Sequence, residues 1–145
     1  MWQPLFSITN AIALIAWAVL ILAPRRPAVL SGVMYAGVGL LCLIYAALLV
    51  TLSAGWVDPV GTGTMTDYSV KGLRGLFASN GGIVIGWTHY LALDLFTGLW
   101  VARDADPKRV NRFVQVPILL ATFMAGPLGL LIWLAVREPA ARRKR

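Results

Sequence analysis

The residues best suited to chemistry lie in the segment WTHYLALDLFTGLW, from Trp87 to Trp100. The segment holds the single histidine of the chain, His89, and an aspartate, Asp94, inside a long apolar run. An aspartate at the centre of a membrane-spanning helix costs about 2.5–3.5 kcal/mol on insertion scales. Asp94 is therefore a candidate functional residue. The alternative is that it hydrogen-bonds a neighbouring helix and fixes the packing.

Helical spacing places the polar and aromatic groups of this segment on one side. At about 100° per residue, Trp87, His89, Tyr90, Asp94 and Trp100 share an arc, and the opposite side is rich in leucine. Tyr90 and Asp94 are four residues apart and can hydrogen-bond each other. His89 and Asp94 are about 7.5 Å apart along the helix axis, so they can line one cavity only from different heights.

This arrangement suits acid–base chemistry. We expect Asp94 to act as the acid, because burial in lipid favours its protonated form, and His89 to act as the complementary base. The aromatic side chains can pack against a flat apolar substrate. The expected substrate-binding residues are Trp87, Tyr90, Trp100, Arg112 and Asn10. Each of these residues has a competing interpretation as a packing residue.

Several classes of site are excluded by the same inventory. One histidine and one buried aspartate cannot supply the ligands of a zinc site, and no glycine-rich nucleotide loop is present. We therefore expect neither a metal nor another cofactor. The lone Cys42 cannot form a disulfide within the chain. The net charge of +7 comes from the gaps between apolar runs and from the C-terminal tail, which suits lipid headgroups and not nucleic acid.

Composition indicates an all-α integral membrane protein. The chain is 59% hydrophobic and only 13% charged, whereas soluble domains have about 25% charged residues. We predict a single membrane domain over 1–145, with four transmembrane helices and a basic tail at 137–145. A short amphipathic surface helix, capped by Asp67 or Ser69, is predicted over Val70–Ala78, and Pro127 predicts a kink in the fourth span. The predicted spans are 5–23, 29–52, 82–101 and 114–136.

The orientation of a four-span bundle is not decided by its charges. One orientation places six basic residues in the cytoplasm and the other places seven, which the positive-inside rule does not separate. The expected partners are membrane lipids and an apolar small-molecule ligand, with no nucleic acid. The sequence is also compatible with a homo-oligomer.

Two motifs carry a resemblance to a known family. The first is the Trp87–Trp100 segment followed by Asp104 and Ala105. The second, after Arg112 and Pro117, is the segment TFMAGPLGLL from Thr122 to Leu131. In this order and spacing they are similar to the abscisic-acid-deficient-four-like family of small membrane proteins. The resemblance is strong over about residues 75–137, and the first two spans match in length and hydrophobicity alone.

The resemblance implies a four-helix integral membrane protein linked to carotenoid metabolism. Plant members are associated with neoxanthin formation, the isomerisation of an epoxy-carotenoid to an allenic product without a redox cofactor. This chain resembles the small bacterial-type members, which implies a multi-pass protein of the bacterial cell membrane. Three functions stay open: an isomerase-like enzyme acting on a carotenoid or other isoprenoid lipid, a non-catalytic lipid- or pigment-binding or assembly protein, and a proton or small-ion pathway through Asp94.

Overall fold

The structure, a computed structural model, describes residues 1–54, 56, 67 and 69–142, with the side chains of residue 53 and residues 138–142 outside the described part. Within these ranges the secondary structure is entirely helical. Helix α1 is Trp2–Leu22. Helix α2 is continuous and consists of Pro27–Gly32, a π-helical segment Val33–Gly39, and Leu40–Ser53. The remaining helices are α3 (Val70–Leu76), α4 (Asn80–Ala105), α5 (Arg112–Met124) and α6 (Gly126–Arg142).

The first two helices follow the predicted spans closely. Neither contains a charged residue, and the turn between them is bounded by Pro24 and Pro27. Proline ends α1 because the residue before a proline avoids helical geometry, and Pro27 suits the first position of α2 because its missing N–H is not needed there. The segments Trp2–Leu22 and Pro27–Leu52 are long and apolar enough to cross a membrane. A bundle of four spans is not confirmed.

A helix is present where the amphipathic one was predicted, as α3, although it ends at Leu76 and not at Ala78. The Ser69 hydroxyl accepts a hydrogen bond of 3.0 Å from the Gly72 backbone N–H and caps the first turn. Phe77, just after α3, packs directly over Gly86 of α4. A side chain at position 86 would collide with the Phe77 ring, so this glycine allows the segment to lie against the bundle.

Helix α4 is the central element, and α1 runs parallel to it. Trp2 packs over Gly81 at one end, and the Trp17 ring occupies the space above Gly98 further along both helices. Helix α2 runs in the opposite direction, since Gly37 lies at Leu95 and Tyr45, further along α2, contacts the earlier residue His89. The core between these helices consists of fully buried aliphatic and aromatic side chains, which include Leu20, Leu41, Leu95, Leu99, Val101 and Leu119.

The predicted fourth span is a helical hairpin and not one kinked helix. Helix α5 ends at Met124, Ala125 leaves helical geometry with φ of −156° and ψ of 83°, and a new helix begins at Gly126. The reason is that Pro127 cannot donate a backbone hydrogen bond into α5, while its fixed φ suits the start of α6. Gly129 then packs against the backbone of Thr122, so the two helices lie side by side.

The direction of the hairpin follows from its contacts with α1 and α4. Arg112, at the start of α5, donates hydrogen bonds to the carbonyls of Ile21 and Ala23 at the C-terminal end of α1. The tip reaches the middle of α4, where the Tyr90 hydroxyl bonds the Met124 carbonyl at 3.2 Å. Helix α6 then returns to the end from which α5 started. The apolar segments of 13 residues in α5 and 12 in α6 are about 20 and 18 Å long, too short to cross a hydrocarbon core of about 30 Å.

The base of α6 is tied to the C-terminal end of α4 through Asp104. This carboxylate accepts hydrogen bonds from the buried Trp133 indole at 3.0 Å and from Arg137 at 2.9 and 3.2 Å, and it pairs with Lys108. Partial burial acts to raise the pKa of Asp104, but the bonds from Arg137, Lys108 and Trp133 outweigh it and lower the pKa to about 2. Asp104 is thus ionised at neutral pH, and it ties α6 to the C-terminal end of α4.

Candidate functional site

Asp94 lies at the tip of the hairpin, inside the bundle. The residue is only 8% exposed, and its side chain faces the first turn of α6. The Tyr90 side chain and the Gly126 backbone are the polar groups that act on the carboxylate, and the Tyr90 hydroxyl itself donates to the Met124 carbonyl at the tip. Because the N-terminus of a helix carries partial positive charge, the start of α6 is a favourable neighbour for a carboxylate.

Gly126 is needed for this approach. A Cβ atom at position 126 would overlap the Asp94 carboxylate, and both its oxygens and its carbon lie in the way. The Oδ2 atom of Asp94 is buried and has no hydrogen-bond partner among the described residues. This oxygen is therefore a buried acceptor that no described donor satisfies.

Tyr90 connects Asp94 with a groove on the surface of the bundle. The groove has a volume of about 210 Å³ and lies between α1, α4 and the end of α5. The Trp87 and Tyr90 rings stack along its α4 side, with centroids 5.3 Å apart and planes inclined by 28°. The Trp87 indole donates a 3.1 Å hydrogen bond to the Asn10 amide oxygen, which fixes the ring against α1. The lining residues are Asn10, Ala13, Leu14, Trp87, Tyr90, Leu91, Phe123 and Met124.

His89 does not share this groove. Its residue is exposed, and its ring packs against Tyr45 of α2 with centroids 5.3 Å apart. Asp94 faces the hairpin tip instead, because five residues of helix rotate the side-chain direction by about 140°. The structure therefore places the two predicted catalytic residues in different surroundings.

The remaining predicted residues divide between the groove and other places. Asn10, Trp87 and Tyr90 are brought together in the groove. Trp100 lines a separate cavity of about 380 Å³, with Phe96, Thr97, Leu130 and Leu134, and the Arg137 guanidinium lies 5.8 Å above its ring. Arg112 binds the carbonyl groups at the end of α1, about 12 residues of helix away from the hairpin tip.

Sequence reasoning missed the contribution of the hairpin. The hairpin supplies Gly126 next to Asp94 and supplies Phe123 and Met124 to the wall of the groove. None of these residue types by itself indicates a ligand contact. The available signal was the Gly126-Pro127 pair, which starts a helix as readily as it kinks one. Among the described residues, no group of three or more His, Cys, Asp or Glu side chains could hold a metal ion.

Comparison with known proteins supplies the family. Searches of curated proteins and of solved structures give no match. The sequence model of the family described as ABA4-like, ABA DEFICIENT 4-like, matches residues 4–133, which is most of the chain and includes both motifs, α2 and nearly all of α1. Family membership and the two long apolar helices indicate a membrane protein, and the family is consistent with a link to carotenoid biosynthesis. The chain belongs to the ABA4-like family.

Proposed function

We propose that this protein binds a carotenoid or other isoprenoid lipid in the groove over Trp87 and Tyr90, and that Asp94 supplies acid–base chemistry to it. The observation that carries the proposal is the Tyr90 hydroxyl. Tyr90 lines the groove, and its hydroxyl, which donates to the Met124 carbonyl at 3.2 Å, also interacts with the buried Asp94 carboxylate. A proton can thus pass between an enclosed acid and an apolar ligand without a cofactor.

The wall of the groove suits a flat apolar ligand. Two stacked aromatic rings, Leu14, Leu91 and Phe123 offer apolar contact, and Trp87 is held by Asn10. Ring faces also stabilise positive charge that develops on a ligand during proton transfer. The volume of about 210 Å³ fits one end of a long isoprenoid chain, with the remainder lying along the lipid-facing surface.

The proposed isomerisation uses one residue as both acid and base. Protonated Asp94 donates its proton to the Tyr90 oxygen while the Tyr90 hydroxyl gives its own proton, otherwise directed at the Met124 carbonyl, to the ligand. A proton leaving a neighbouring carbon returns to the carboxylate by the reverse of this relay. No atom or electron is gained or lost overall. The Gly126 N–H at the start of α6 stabilises the transient carboxylate. His89, which we expected to be the base, is not required in this scheme.

Three variants test the chemistry in a carotenoid-producing bacterial host. We expect Asp94→Asn and Tyr90→Phe each to reduce product formation by at least 100-fold, since general acid–base catalysis contributes about 10²–10⁴-fold. Both variants keep the shape of the side chain. His89→Gln serves as the control and is expected to retain activity. Full activity in Asp94→Asn would contradict the catalytic role.

A second function is favoured by a specific observation, namely the contact between Asp94 and Gly126. That contact alone accounts for the buried carboxylate as a support for the hairpin tip, so the groove can bind pigment or lipid without altering it. Mass spectrometry of lipids co-purified in mild detergent separates the two functions. Non-catalytic binding predicts the same bound lipid in Asp94→Asn as in the wild type and no change of any carotenoid on expression.

A further inference from the structure

The hairpin gathers the basic residues at one end of the bundle. Helix α5 starts and helix α6 finishes at the same end of the bundle. Arg137 of α6 therefore lies near the turn that connects α4 with α5, and not at the opposite end. Seven described basic side chains and two aspartates occur at this end, which we call the basic end. The basic residues other than Arg137 are Arg25, Arg26, Arg103, Lys108, Arg109 and Arg112.

The opposite end has little charge in comparison. Its described charged side chains are Lys71 and Arg74 of α3 and the exposed Asp67 before it. The hairpin increases this difference in charge, since a fourth span would have divided the same nine described basic side chains six to three. The molecule is therefore strongly polarised along the bundle axis.

At the centre of the basic end, two arginines lie close together. The Arg25 side chain is only 9% exposed and donates to the Ala102 carbonyl at 2.9 Å and to Asp106 at 3.1 Å. Its Nε and Nη2 atoms are buried and have no hydrogen-bond acceptor in the described part of the chain. Burial lowers the pKa of Arg25, and the attraction of Asp106 opposes this while the nearby charge of Arg112 adds to it. Asp106 thus pairs with Arg25 alone of these two guanidinium groups, and two donors of Arg25 still lack the acceptor that an anion would supply.

We propose that the basic end is a binding surface for the headgroups of anionic phospholipids, with Arg25 and Arg112 at its centre. Arginine recognises phosphate oxygens through its planar fork of N–H donors, and basic residues near a membrane surface are attracted to anionic lipids. The ends of α1 and α4 place both guanidinium groups just beyond apolar helices, at the depth where headgroups lie. Arg26, Arg103 and Arg109 are exposed and surround this centre.

The test compares two pairs of exposed residues of equal charge. The protein in mild detergent is titrated with phosphatidylglycerol or phosphatidylcholine, and bound lipid is measured by native mass spectrometry. We expect Arg26→Gln with Arg109→Gln to weaken phosphatidylglycerol binding about fivefold for each charge removed. Lys71→Gln with Arg74→Gln, at the opposite end, is expected to leave binding unchanged.

A conservative variant tests the centre of the surface. Arg25→Lys keeps the positive charge but loses the fork, so we expect weaker phosphatidylglycerol binding with unchanged phosphatidylcholine binding. Equal effects of the two neutralised pairs, or equal affinity of the wild type for both lipids, would overturn the proposal. So would protection from thermal unfolding by inorganic phosphate that equals protection by phosphatidylglycerol at the same concentration, because the occupant would then be a free anion.

Discussion

At the scale of single residues, the arrangement around Asp94 depends on position 126 being glycine, which has no side chain. The carboxylate can meet the start of α6 only because Gly126 has no Cβ atom. The Tyr90–Asp94 pairing was predictable, since a spacing of four residues brings two side chains together on any helix. The separation of His89 from Asp94 was not predictable. His89 packs against α2 and Asp94 faces the hairpin, and the sequence does not show where these elements lie around α4.

Replacement of Gly126 by alanine tests whether this close approach is essential. The added methyl group would overlap the Asp94 carboxylate, so we expect Gly126→Ala to lower the free energy of unfolding by roughly 1–3 kcal/mol, as overpacking does. Thermal unfolding in detergent measures the change. Gly32→Ala is the matched control, because a Cβ atom there meets nothing within 4 Å. It is expected to be neutral or stabilising by up to about 1 kcal/mol. Equal stability of the two variants would show that the tip is loosely packed.

At the scale of elements, the sequence predicts where helices form but not that α6 turns back along α5. The runs that became α1 and α2 are uncharged and bounded by prolines, so their limits could be predicted to within a few residues. The run 114–136 has the same composition as a span, and hydropathy does not record direction. What turns it back is the non-helical Ala125 together with the contact of Gly129 with Thr122, and both depend on tertiary packing.

The base of the hairpin predicts a dependence of stability on pH. The pKa of Asp104 is about 2 in the folded protein and its ordinary value is 3.8. A lowered folded pKa stabilises the protein above the ordinary value, and this stabilisation is lost as the pH falls from about 4 towards 2. We therefore expect the midpoint of thermal unfolding in detergent to decrease over that interval.

The variant Asp104→Asn assigns this dependence to one carboxylate. It removes the charge that Trp133, Arg137 and Lys108 share, so we expect a loss of roughly 1.5–3 kcal/mol at pH 7. The same variant should lose most of the decrease in stability between pH 4 and pH 2. A variant with the same acid sensitivity as the wild type would mean that other carboxylates cause it.

At the scale of the whole molecule, the hairpin changes the membrane orientation that the distribution of basic residues predicts. Four spans would place both termini on one side of a membrane and leave the positive-inside rule undecided between six and seven basic residues. With α5 and α6 entering and leaving at the basic end, the nine described basic side chains divide seven to two, where four spans would divide the same nine six to three. The rule then predicts that the basic end faces the cytoplasm and that the N-terminus lies on the other side.

Labelling of single cysteines tests this orientation and the hairpin together. In a Cys42→Ala background, Arg26→Cys reports the first turn, Lys71→Cys reports α3, and a cysteine added after Arg145 reports the C-terminus. A membrane-impermeant thiol reagent applied to intact cells is expected to label Lys71→Cys alone, because only that position lies outside. Permeabilised cells provide the control in which all three are labelled. If Arg26→Cys and the added C-terminal cysteine react from opposite sides, then α5 and α6 together cross the membrane and the re-entrant hairpin is wrong. If they react together from outside, the hairpin stands and the charge rule fails for this protein.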